Sequence, residues 1–99
     1  MNTRLEAPGA LPVLDPGSRV EVGPLWQVTV YDNDTNTYEE VITVLMIATG
    51  CTAEEAYIEA WEIDKYGQCI VHRADEPECQ GVAEVVGTIG IRVEVSPDA

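Results

Sequence analysis

Basic charge is scarce in this chain. Five Lys and Arg stand against 18 Asp and Glu, for a net charge of −13 and a sequence pI near 4.1. No Lys or Arg lies between Arg19 and Lys65, while the same interval holds Glu21, Asp32, Asp34, Glu39, Glu40, Glu54, Glu55, Glu59, Glu62 and Asp64. Phosphate backbones are gripped by clustered Lys and Arg, so no nucleic-acid partner is expected. An anionic membrane surface is disfavoured for the same reason. Partners carrying an ammonium or a basic patch are favoured, mainly through their rate of encounter.

Catalytic and metal-binding signatures are missing too. His72, beside Arg73, is the one histidine, and it reads as a solvent-facing strand residue rather than a general base. No HExxH, GxSxG or Gly-rich phosphate loop occurs. Cys51, Cys69 and Cys79 form neither a CxxC pair nor a zinc ligand spacing. They read as small, reduced, part-buried apolar residues, which fits a cytoplasmic protein. No apolar run approaches ~20 residues and no apolar segment follows Met1, so neither a membrane span nor a signal peptide is expected. The expectation is a protein with no enzymatic activity, no metal and no cofactor.

What is present fills one domain with a modest core. Pro8, Gly9, Pro12, Pro16, Gly17 and Gly23 interrupt the first 23 residues too often for a helix or strand to persist. Residues 1–23 are therefore expected to be a disordered extension, and 24–99 the folded domain. Trp26, Val28 and Val30 alternate with Gln27 and Thr29, the period of a half-buried strand over Leu25–Tyr31. Thr37 and Glu40 make a capping box, and Tyr38, Val41, Ile42, Leu45 and Ala48 then recur at helical spacing up to Gly50. Thr52 and Glu55 make a second box. Ala53, Ala56, Ala60 and Ile63 form the next stripe, flanked by Tyr57 and Trp61, and Gly67 stops that helix.

A short strand follows from Gln68 to His72. Asp75 caps a third helix whose stripe is Cys79, Val82, Ala83 and Val86, ended by Gly87 or Gly90. Ile91–Val95 alternates as a last strand, terminated by Pro97. The order is strand, helix, helix, strand, helix, strand. It predicts an α+β two-layer sandwich, a three-stranded antiparallel sheet covered on one face by three helices.

The junction after the first strand, Asp32-Asn33-Asp34-Thr35-Asn36-Thr37, concentrates polar side chains at a strand–turn–helix corner. Such residues satisfy nearby backbone and favour turns and caps. Loops at such corners also carry function on a rigid scaffold. On the second helix Ala60 and Asp64 are four residues apart and share a face. Packed beside Tyr38 and Val41, that face would bring Asp64 to the rim with Asp32 and Asp34. The expectation is a shallow apolar pocket with an acidic mouth, suited to an apolar side chain that carries an ammonium.

Gln27 to Asp34, Tyr38 to Leu45, Gly50, Thr52 to Ala56 and Tyr66 to Val71 together resemble the ClpS family, small adaptors of the Clp AAA+ proteases. The resemblance covers roughly Leu25 to Val95 and runs without gaps from Gln27 to Val71. It implies the same sandwich fold. It further implies a monomer that recognises N-degrons, usually a bulky apolar N-terminal residue, and passes the substrate to the N-terminal domain of a ClpA- or ClpC-type unfoldase. In the family the extension takes part in delivery.

The site departs from the family pattern. Asp32, Asn33 and Asp34 stand where the family has Asn-Asp-Asp, whose first Asn and second Asp help hold the α-ammonium. Asp64 replaces a histidine that makes another α-amino contact. Tyr38 replaces a gatekeeping Met, Ala60 a pocket Met, and Asn36-Thr37 the family's Thr-Pro. Val41, Ile63 and Ile91 keep the apolar character of the side-chain pocket. The smaller Ala60 implies a deeper or wider wall, with Tyr38 narrowing the entrance. The resemblance thus implies an ammonium site at Asp32, Asn33, Asp34 and Asp64. It implies a side-chain pocket at Asn36, Tyr38, Val41, Ala60, Ile63 and Ile91. The alternative is an interaction domain of the same fold that no longer reads N-termini.

Overall fold

The computed structural model describes residues 24–98. The expectation for residues 1–23 lies outside them. Strand β1 (Trp26–Tyr31) is followed by α1 (Tyr38–Thr49), α2 (Ala53–Tyr66), β2 (Gln68–Ala74), α3 (Glu76–Gly87) and β3 (Val93–Pro97). The sheet order is β2–β1–β3, with β1 antiparallel to both neighbours. This is the α+β sandwich the periodicities predict.

β1 is central because its side chains suit burial. Val28 and Val30 are completely buried, and each such side chain contributes about 1.5–3 kcal/mol relative to exposure. Thr29 points to the other face yet is only 4% exposed. It is flanked there by Ile70 and Glu94 on the neighbouring strands. On that same outer face the Tyr31 hydroxyl donates to Glu94 at 2.7 Å, and the Arg92 guanidinium lies 4.1 Å over the Tyr31 ring.

α3 packs across the sheet, α2 against β2, and α1 against both α2 and α3. Their buried faces are Val41, Val44 and Leu45 on α1, Ala56, Ala60 and Ile63 on α2, and Cys79, Val82 and Val86 on α3. Ala53, placed on the α2 stripe by spacing, is exposed at the first turn. Both capping boxes form as read, and Gly50 and Gly67 take the left-handed conformation that ends α1 and α2.

Strand limits shift from the sequence reading. β2 continues to Ala74, because Trp26 and Gln27 supply partners for Ala74 and Arg73. β3 starts at Val93 and includes Pro97, which pairs with Trp26 at the sheet edge, where a missing N–H is tolerated. His72 is not a free solvent-facing residue. It is half-buried, and its Nε2 lies 2.6 Å from Glu78 Oε2, because α3 folds back over β2. The three cysteines are unpaired, Cys79 buried and Cys51 and Cys69 half-buried. Among the described residues no helix is long and apolar enough to cross a membrane.

Candidate functional site

The corner after β1 is pinned on both sides. Tyr31 donates its N–H to the Arg92 carbonyl at 3.0 Å, and Asp32 donates to the Gly67 carbonyl at 2.9 Å. Asn33 then closes an Asx turn, its Oδ1 accepting from the N–H groups of Thr35 (3.1 Å) and Asn36 (3.0 Å). Asn33 Nδ2 donates to Asn36 Oδ1 at 2.8 Å. Asn36 Nδ2 donates in turn to the Ile89 carbonyl at 2.9 Å and to Glu40 Oε1 at 3.1 Å. Glu40 is held below the usual carboxylate range by the Thr37 N–H first and by Asn36 second. The turn is therefore tied to β3's approach, to α2's cap, and to the loop after α3.

These ties frame a recess of about 80 Å³. Val41, Ala60, Ile63 and Ile91, each no more than 6% exposed, supply its apolar floor. Asp32, Asn33, Asn36, Thr37, Tyr38 and Asp64 supply its polar wall and rim. Nine of the ten residues read as site residues come together here. Asp34 does not: it is exposed and lies outside the lining. Thr37 lines the recess as well as capping α1, a double role that a capping signal alone does not reveal.

The side chain that most shapes the recess is Tyr38. Its hydroxyl donates to Asp64 Oδ2 at 2.8 Å, and its ring lies 6.0 Å from the Tyr57 ring, tilted by 45°. The bond to Asp64 is the first cause that pushes the phenol up to about 12, so it stays a neutral donor at physiological pH. Tyr38 and Ala60 both line the recess.

Larger depressions exist elsewhere. One of about 370 Å³ lies between α1 and the turn after α3, at Thr43, Val44, Ile47 and Ile89. It is wide and mostly apolar, although Glu39, Glu40 and Thr88 also line it. Among the described residues no group of three or more His, Cys, Asp or Glu is placed to hold a metal ion.

No curated protein matches the chain. Among solved structures, Agrobacterium tumefaciens ClpS2 bound to L-phenylalaninamide matches with a TM-score of 0.72 at 15% identity, over 76% of this chain and 98% of that one. At that identity the likeness shows the fold. The family model described as ATP-dependent Clp protease adaptor protein ClpS matches residues 21–90, which span β1 to α3 and every lining residue of the recess except Ile91. With that match, this chain belongs to the ClpS family of Clp protease adaptors.

Proposed function

We propose that residues 24–99 form an adaptor domain that binds the free N-terminus of a protein substrate and delivers it to a ClpA- or ClpC-type AAA+ unfoldase. ClpS is a family of adaptors, not of catalysts. The observation that carries the reading is the pairing of two rim carboxylates, Asp32 and Asp64, with a buried apolar floor at Val41, Ala60, Ile63 and Ile91. An N-terminal residue has the complementary form, an ammonium one bond from the carbon that bears its side chain. The ligand of the Agrobacterium protein, L-phenylalaninamide, is likewise an α-amine with its carboxyl blocked.

Asp32 and Asp64 hold the ammonium in this reading, Asn33 and Asn36 shape the turn above it, and the floor receives the first side chain. Asp34 contributes only to the surrounding negative field. A hydrogen bond between an ammonium and a carboxylate is worth on the order of tenfold in affinity or more. Asp64→Ala is thus expected to weaken a free-N-terminus peptide by at least about tenfold, Asp32→Ala comparably, and Asp34→Ala by much less. Calorimetric titration of the parent and the three variants checks this. Equal affinity for free and N-acetylated peptides would instead favour the interaction domain that no longer reads N-termini. Docking to the unfoldase belongs to another face and should survive all three substitutions.

A further inference from the structure

The recess holds about 80 Å³, whereas a cavity of about 150 Å³ admits a benzene ring. Tyr38 lines that recess together with Ala60. Tyr57, Ala60 and Asp64 follow one another on α2 at spacings of three and four residues and so share a face. A ring that packs at Tyr57 while its hydroxyl meets Asp64 crosses in front of Ala60. The methyl group of Ala60 leaves room on the floor, and the Tyr38 ring closes it from above.

We propose that the Tyr38–Asp64 hydrogen bond sets the substrate class of this site: N-termini whose first side chain is between alanine and valine in size, with aromatic first residues disfavoured. This rests on the reading that the recess takes an α-ammonium. Tyr38 engages Asp64 Oδ2 and leaves Oδ1, with Asp32, to meet the ammonium. A small first residue then enters without rearrangement. An aromatic one fits only after the Tyr38 ring has swung out and its bond to Asp64 has broken. A hydrogen bond to a carboxylate is worth on the order of tenfold in an equilibrium, and that factor is the discrimination.

The test uses peptides identical after residue 1, beginning with Ala or Phe, each free and N-acetylated, titrated into the parent, Tyr38→Phe and Tyr38→Ala. The parent is expected to bind the free Ala peptide about tenfold tighter than the free Phe peptide and to reject both acetylated ones. Tyr38→Phe keeps the ring and its packing but removes the bond, so Phe-first affinity should rise about tenfold. Tyr38→Ala, which clears the ring, should raise it at least as much. A parent that prefers the free Phe peptide while rejecting acetylated ones overturns the size class and leaves the ammonium reading standing. An Ala-to-Phe ratio unchanged in both variants overturns the role of Tyr38. Equal binding of free and acetylated peptides overturns both this inference and the reading it rests on.

Discussion

Asn36 joins three segments through one amide. It accepts from Asn33, and donates to Glu40 at the start of α1 and to the Ile89 carbonyl beyond α3. Asn36→Ala would leave that half-buried carbonyl without its donor, which costs about 1–3 kcal/mol. At about 4–8 °C per kcal/mol for a domain of this size, thermal unfolding should show a clear drop in Tm. An unchanged Tm would mean that the turn holds without the tie. Glu59 behaves in the opposite sense. It is half-buried on α2, and its Oε1 is buried without a hydrogen-bond partner. Burial first, then Glu55 and Glu62, push its carboxyl up to about 7, above the usual unfolded value of ~4.3. The folded state therefore keeps a proton that the unfolded chain has already lost. The stability this gives is complete below ~4.3 and disappears as pH rises through about 7. Glu59→Gln should match the parent near pH 4. At pH 8 it should be more stable by about 1 kcal/mol, once solvent screening of the exposed half is allowed for. Tm of both proteins at the two pH values decides it, and a variant no more stable at pH 8 would contradict the assignment.

The elements were the most legible part of the chain, because their signals are local. Thr37 with Glu40 and Thr52 with Glu55 form both arms of their capping boxes, and Gly50 and Gly67 sit at φ 75° and 88°. Features set by a partner strand could not be read the same way. The register slip between Val28 and Thr29 and the displacement of β3 to Val93–Pro97 depend on what lies alongside. The site was legible to the same degree. Capping, helical spacing and the family pattern named nine residues of the recess. They could not show that the Tyr38 hydroxyl meets Asp64, 26 residues away, or that Asp34 lies outside the recess lining. Gly67 links element to site, since its carbonyl accepts the Asp32 N–H. A Cβ placed there would meet nothing within 4 Å, so Gly67→Ala suffers only from the left-handed backbone, about 1–2 kcal/mol. Denaturant midpoints should fall by that amount, and less for Gly67→Asn, which tolerates this conformation better. Equal losses for the two would point to some cause other than backbone conformation.

Across the whole molecule the charge of −13 gives a field that attracts any cationic group, but it does not choose one. In the proposed reading selection belongs to the corner where β1, α1 and α2 meet, with Asp32 and Asp64 above an apolar floor. The remaining surface offers other faces to a large partner. The outer side of α2 exposes Tyr57, Ile58, Trp61 and Tyr66, while His72 and Glu78 meet where α3 folds over β2. The central claim is that the corner reads a free protein N-terminus. Titrating isotopically labelled protein with one peptide in free and N-acetylated forms, and following backbone amide shifts by NMR, tests it most directly. The free peptide should move the amides of Asp32, Asn33, Val41, Ala60 and Asp64, and the acetylated peptide should leave them in place. Matching shifts from both peptides, or shifts confined to the His72–Glu78 face, would contradict the account.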